Sequence, residues 1–257
     1  MRPARRIGAV VAALASALVA AACAAPPTSG PVAGAVAPRH RVVVLGDSLT
    51  NAPWDLADRV RWIDLAADGL AAPSGPWSGV RLQQGDGLGG WATSDRGVAS
   101  GTGPQVEYWD GSWGYFTTWS YAGKPWMFPP VGVPDLLVVA LGSNDIGVGY
   151  SPQLWADGLR FLLDHYEDRA CLLVFPWWPA IYPDVTAWAD AARAVATERS
   201  CDWVDLRSEV GPPQPGVTSL DVNHPNRLGQ RLWTAVLGPH VATDLHRAGQ
   251  FVMPPAP

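Results

Sequence analysis

The stretch "VVVLGDSLTN", residues 42–51, sets the reading of the whole chain. Four aliphatic residues run into Gly46, followed by an acid at Asp47 and hydroxyls at Ser48 and Thr50. A short apolar run without alternation is what a strand buried on both faces requires. A serine just past such a strand has two uses. It can cap the N-terminus of the next helix, or it can stand at the sheet edge as a nucleophile. The residues at the ends of the other strands decide between them.

Working outward, strand-like and helix-like segments alternate. Residues 41–45 read as a strand. Residues 55–70 read as a helix, with Leu56, Val60, Ile63 and Leu70 tending to one face. A short strand is expected at 80–83 and a strongly apolar one, "DLLVVAL", at 135–141. Ser151-Pro152 is a helix start, an N-cap with proline at the first position. Residues 171–175 form a third strong strand, 184–199 an Ala-rich helix, 203–206 a short strand and 226–247 a closing helix. Apolar strands separated by helices imply a parallel sheet covered on both faces, a three-layer α/β/α sandwich. Ligands in such sheets bind beyond the carboxyl ends of the strands.

The residues after each strand are therefore the informative ones. After 41–45 comes Gly46-Asp47-Ser48; after 80–83 comes "QGDGLGGWATSD", 84–95; after 135–141 comes "GSND", 142–145; and before the closing helix comes "DVNHPNRLG", 221–229. A serine hydroxyl needs a base to become nucleophilic, and His224 can serve near neutral pH. Asp221 can accept the other ring N–H and fix the tautomer. The oxyanion formed on attack needs donors placed in advance, which Asn144 and backbone N–H groups can supply.

These blocks resemble the SGNH hydrolases, the GDSL lipase/esterase group. "GDSLT" at 46–50, "GSND" at 142–145 and "DVNH" at 221–224 with Pro225 match in the right order, over residues 41–247. The resemblance implies a mostly parallel, flavodoxin-like sheet and a serine esterase without cofactor. Its catalytic residues would be Ser48, His224 and Asp221. The family's second block often reads N-x-G-x-x-G, its last glycine donating to the oxyanion. The best match here is "GDGLGGW", with Gly85 in place of the Asn, so the resemblance implies an oxyanion hole of Ser48, Gly90 and Asn144. "GDSLT" lacks the second glycine of the G-x-S-x-G elbow. Ligand spacings such as CxxC or HxxxH do not occur, so no metal is expected.

Residues 1–22 read as a signal peptide: Arg2, Arg5 and Arg6 precede an uncharged Ala/Val/Leu run with small residues at its end. "AAAC", 20–23, resembles a lipobox, with Ala20 where the pattern prefers Leu; Cys23 would be the lipidation site and membrane anchor, the alternative being plain cleavage that leaves it a free thiol. Residues 24–38 are an Ala/Pro/Gly/Ser linker, and 39–250 the catalytic domain. In an exported protein Cys171 and Cys201 are a candidate disulfide pair, the alternative being two buried free thiols. The net charge of −5 argues against nucleic acid as a partner; a monomer in the extracellular space or cell envelope is expected.

Residues 93–134 read as an aromatic-rich insertion. In "EYWDGSWGYFTTWSYAGKPWMF", 107–128, the "WDGSW" suits a hairpin turn, and Trp109, Trp113, Trp119 or Trp126 either stack on a sugar or form a small core of their own. Trp91, Trp177 and Trp178 are the expected substrate-binding residues. The substrates implied are carboxylic esters, small acyl groups on carbohydrate or lipid-like chains. The alternatives are an acyltransferase acting on envelope sugars and a non-catalytic carbohydrate-binding module, the latter disfavoured by the intact Ser48, Asn144, Asp221 and His224.

Overall fold

The computed structural model describes residues 39–51, 60–70, 79–85, 90–96, 104–166, 169–176, 184–218 and 223–250. The expected leader 1–22, Cys23, the linker 24–38, Asp221, Trp177 and Trp178 lie outside the described residues.

The apolar runs become strands: β1 (Arg39–Gly46), β2 (Gly79–Gly85), β3 (Trp91–Arg96), β4 (Gln105–Asp110), β5 (Leu136–Ala140), β6 (Ala170–Phe175) and β7 (Asp202–Asp205). Among the described residues they form a seven-stranded sheet in the order β3-β2-β4-β1-β5-β6-β7. All pairings are parallel except β2–β3. The helices are α1 (Ser48–Asn51), α2 (Trp62–Leu70), α3 (Ser143–Gly147), α4 (Pro152–His165), α5 (Thr186–Glu198), α6 (Leu206–Val210) and α7 (Arg227–Gln250).

Period-two alternation in the strands divides the core in two. Val43 and Leu45 of β1, with Leu137 and Val139 of β5, join a cluster with Trp155, Leu159 and Leu162 of α4 and Ala192 and Val195 of α5. Val42 and Val44 face the other way, onto Trp62 and Ile63 of α2 and Trp233, Leu237 and Val241 of α7. This is the α/β/α sandwich that the unbroken apolar strands imply.

Two boundaries differ from expectation for local reasons. Asp205 caps α6, accepting from the N–H groups of Arg207 at 3.0 Å and Ser208 at 3.3 Å, so β7 ends there and Leu206 is helical. The helix α2 starts at Trp62, with Val60 and Arg61 outside it, while the first part of the expected 55–70 helix lies outside the described residues; Asp64 accepts from the Arg61 N–H at 3.2 Å, closing the first turn.

The larger correction concerns 93–134, expected as an insertion with a hairpin at "WDGSW". Gln105–Asp110 is an interior parallel strand, β4, bonded to both β1 and β2. The chain does not reverse at Asp110. Glu107 hid this strand: it is 7% exposed and sits 3.8 Å from Arg41. The five strands β4-β1-β5-β6-β7 carry the flavodoxin-like order, and the strand beside β1 is β4. The β2–β3 pair is the addition at the sheet edge.

Cys171, near the start of β6, and Cys201, just before β7, are joined by a disulfide. The adjacent pair Leu172 and Asp202 are in register, which brings the two cysteines abreast. The bridge closes a separation of 30 residues, so the loop-entropy relation assigns it about 3.6 kcal/mol. Replacing both cysteines by alanine is expected to lower the Tm by roughly 10 °C in calorimetry. An unchanged Tm would show that the bridge does not constrain the unfolded chain.

Candidate active site

The site is assembled at the carboxyl ends of β1, β4 and β5. Gly46 ends β1, and the chain passes through Asp47 into the single turn α1, which Ser48 opens. Asp47 is fully buried and holds this turn. Its carbonyl accepts from the N–H groups of Thr50 at 3.2 Å and Asn51 at 3.0 Å, and its Oδ1 from the N–H of Leu49 at 2.9 Å. From the start of α3, beyond the neighbouring strand β5, Ser143 Oγ donates to Asp47 Oδ2. Burial raises the Asp47 carboxyl from the usual 3.8 to about 7, partly opposed by the hydrogen bonds from Ser143 and Leu49.

Gly46 lies under the loop that follows β4. A Cβ there would come within 2.6 Å of Ser112 Oγ and 2.7 Å of Thr50 Cβ. Its carbonyl accepts from the Trp113 N–H at 3.1 Å, and its N–H donates to the Tyr121 hydroxyl at 3.2 Å. That loop carries Gly114 against the nucleophile, where a built Cβ would be 4.0 Å from Ser48 Cβ.

His224 reaches the site from the loop preceding α7. Its Nε2 is 2.8 Å from Ser48 Oγ. In the tautomer protonated on Nδ1, Nε2 accepts the serine proton, the geometry a general base needs. Asn226 fixes this loop in both directions. Its Nδ2 donates to the carbonyls of Gly216 at 2.9 Å and Thr218 at 3.0 Å, and its Oδ1 caps α7 by accepting from Leu228 N–H at 2.9 Å and Gly229 N–H at 3.1 Å. One turn on, the buried Gln230 donates to Leu49 O at 2.9 Å and accepts from Trp62 N–H at 2.8 Å. Serine and histidine are thus braced against each other by α7.

Asn144, in the first turn of α3 after β5, donates through Nδ2 to Phe116 O at 3.0 Å. An amide nitrogen has two protons, so this bond orients the group and leaves a second donor. Beside it, the buried Asp145 accepts from the N–H of Thr118 at 2.9 Å and from its hydroxyl at 2.6 Å, tying α3 to the β4 loop. Below the floor of the site, Arg61 pairs with Asp64 at 2.8 Å and with Asp110, all three nearly solvent-free.

Ser48, His224 and Asn144 therefore rise from one sheet edge with a serine–imidazole hydrogen bond already formed. The family model described as the GDSL-like lipase/acylhydrolase family matches residues 44–232, most of the chain.

The chain belongs to this family.

It is a carboxylic ester hydrolase of the GDSL type. Solved structures share its fold at low identity. The lipase/acylhydrolase from Enterococcus faecalis is 16% identical with a TM-score of 0.57, over 79% of this chain and 96% of that one. The psychrotrophic esterase EstA from Pseudoalteromonas sp. is 14% identical with a TM-score of 0.55, over 80% and 99%. A catalytic mutant of Axe2, an acetylxylan esterase from Geobacillus stearothermophilus, is 13% identical with a TM-score of 0.55, over 80% and 94%. No curated protein matches the chain.

Within this GDSL scaffold, two expectations about the second block change. Gly90, expected in the oxyanion hole, precedes β3 at the β2–β3 connection, while β4 separates β2 from β1. Two strand spacings, about 10 Å, lie between β1 and β2. The glycine beside Ser48 is Gly114. Reading "DGSWGY", 110–115, against N-x-G-x-x-G puts Asp110 at the Asn, Ser112 at the first glycine and Tyr115 at the last. Tyr115 has φ of +65°, the left-handed conformation a glycine adopts freely. This block was missed because its two glycine positions hold Ser112 and Tyr115; the positive φ, visible only in the structure, is what reveals it. Asn226 and Gln230 were also unmarked as site residues, since their partners are distant in sequence.

Of the tryptophans, Trp91 is half-buried and packs on Trp109 of β4 with ring centroids 5.2 Å apart. Trp119 is a packing residue, donating to Leu154 O at 3.0 Å and stacking on Phe161 at 5.7 Å. Trp113 and Trp126 are exposed.

Two variants probe the turn. Gly46→Ala forces a Cβ into Thr50 and Ser112, and is expected to lower stability by about 1–3 kcal/mol and activity by roughly tenfold or more through displacement of Ser48; urea melts and ester assays measure both. For Asp47, the raised pKa means the folded chain binds the proton more tightly than the unfolded chain. Its stabilising contribution is complete below the usual 3.8 and is lost as pH rises through about 7. Asp47→Asn keeps the shape without the charge, so its stability relative to the parent should rise with pH, by on the order of 4 kcal/mol between about pH 4 and pH 8. A pH-independent difference in urea midpoints would refute the shift.

Proposed function

We propose that this esterase is an exported enzyme that removes small acyl groups from carbohydrate through an acyl-Ser48 intermediate. The observation that carries the catalytic assignment is the 2.8 Å hydrogen bond between Ser48 Oγ and His224 Nε2. In the proposed cycle, His224 takes the Ser48 proton as Oγ attacks the ester carbonyl. It then protonates the departing alkoxide, and next activates water to release the acid and regenerate Ser48. Asp221 would orient the imidazole and stabilise its charged form. The negative charge developing on the carbonyl oxygen would be met by the Ser48 N–H, a backbone N–H of the Gly114–Tyr115 turn and the second Asn144 Nδ2 proton.

Export rests on the arginines and apolar run of residues 1–22, with Cys23 placed for lipidation. A carbohydrate substrate is supported by the exposed Trp113 and Tyr115 beside the nucleophile, and agrees with the acetylxylan esterase among the structures of similar fold.

A chain-length series of p-nitrophenyl esters provides the test. Ser48→Ala is expected to lose activity by about six orders of magnitude, to the floor of the assay, with the parent fastest on acetate and propionate. A peak at long chains would replace the small-acyl assignment by a lipase. Equal rates for folded parent and variant would remove Ser48 as nucleophile.

A further inference from the structure

Tyr115 is built unlike the other residues around Ser48. Its φ of +65° is one that a residue with a Cβ adopts only under strain. Strain of this kind persists when packing compensates it, yet Tyr115 is 76% exposed. Core packing therefore gives no reason for an aromatic residue at a glycine-like position. Sparsely populated backbone conformations gather at sites that bind and react, and the neighbours of Tyr115 place it at one.

On one side, Gly114 lies against Ser48. On the other, Phe116 O accepts the Asn144 amide at 3.0 Å. Tyr115 stands between these contacts, at the rim joining the nucleophile to Asn144. The backbone around it is anchored. Trp113 N–H bonds Gly46 O, Thr118 is held by Asp145, and the Lys124 ammonium sits 4.6 Å from the Phe116 ring centroid. An exposed ring on a fixed backbone is organised for binding before substrate arrives.

We propose that the Tyr115 ring is a platform for the pyranose that carries the scissile ester, making Tyr115 the positioning residue for the alcohol side of the substrate. A flat aromatic face in water suits the C–H face of a sugar ring, and the phenol hydroxyl can meet sugar hydroxyls. A long acyl chain would instead need an enclosing apolar slot, which an exposed ring does not form. The inference rests on the carbohydrate-esterase reading above and assigns its alcohol-side specificity to one residue.

The test compares an acetylated methyl pyranoside with ethyl acetate, whose small alcohol offers no ring to stack, with acid release monitored by pH-stat. Parent, Tyr115→Gly and Tyr115→Phe are assayed, with Tm for each. Glycine keeps the backbone N–H and accepts the φ, so only the ring is lost. For Tyr115→Gly, KM for the pyranoside is expected to rise about tenfold, with any change in kcat shared by both esters, because the backbone N–H of this turn faces the oxyanion of either substrate. Its kcat/KM for ethyl acetate should fall at least about fivefold less than for the pyranoside, and its Tm should be no lower. Tyr115→Phe should restore most of the pyranoside KM. Equal losses on both esters, or a fall in kcat and Tm together, would overturn the platform in favour of a structural role. A parent that hydrolyses ethyl acetate but not the pyranoside would overturn the platform and leave ester hydrolysis standing. A folded parent inactive on both would remove the esterase reading and this inference with it.

Discussion

The structure depends on the close crossing of chain at Gly46. The end of β1, the first turn of α1 and the loop after β4 meet there, near enough that a single methyl group would collide with Thr50 and Ser112. The crossing joins the nucleophile-bearing turn to the rest of the site. Through Gly46 the β4 loop is bonded at Trp113 and Tyr121, and that loop carries Gly114 to Ser48 and Phe116 to Asn144. Glycine is required here by space, since the residue continues an ordinary strand.

Buried polar groups hold the crossing from below, at a cost that apolar residues would avoid. Asp47 is kept in a solvent-free position where its charged form is disfavoured. Arg61 bridges Asp64, at the start of α2, to Asp110, at the end of β4. Removing one member of such a cluster leaves a buried charge without compensation, which costs more than the intact cluster contributes. Asp110 also accepts the Ser112 N–H at 2.9 Å, so the same cluster shapes the loop that passes Gly46 and Ser48. Directional bonds at fixed depth, rather than apolar contact alone, define where that loop runs.

Legibility in the sequence tracked locality. The β1, β5 and β6 strands each contain an unbroken apolar run, and Ser151-Pro152 opens α4 with the Ser151 hydroxyl accepting from Leu154 N–H at 3.1 Å. The Cys171–Cys201 bridge was readable as a candidate from the expected leader and the strand-like runs beside each cysteine. The β4 strand was not readable. Glu107 interrupts its apolar pattern and glycines surround it, yet paired strands on both sides satisfy its backbone, and Arg41 faces the carboxylate. With β4 hidden, Gly85–Gly90 took its place, and the oxyanion glycine was sought two strands away from Ser48. Asn226 and Gln230 were invisible as site residues for a related reason: Leu49 is 181 positions from Gln230.

The sequence by itself determined the α/β class and the family blocks around Ser48, Asn144 and His224, because each is carried by a short run of residues whose chemistry is local. Tertiary structure alone decided which strand lies beside β1, which loop meets the nucleophile, and that Tyr115 adopts a left-handed backbone at the rim. Those outcomes depend on pairings between residues far apart in the chain. Their free energy comes from hydrogen bonds and burial that exist only once the sheet has formed.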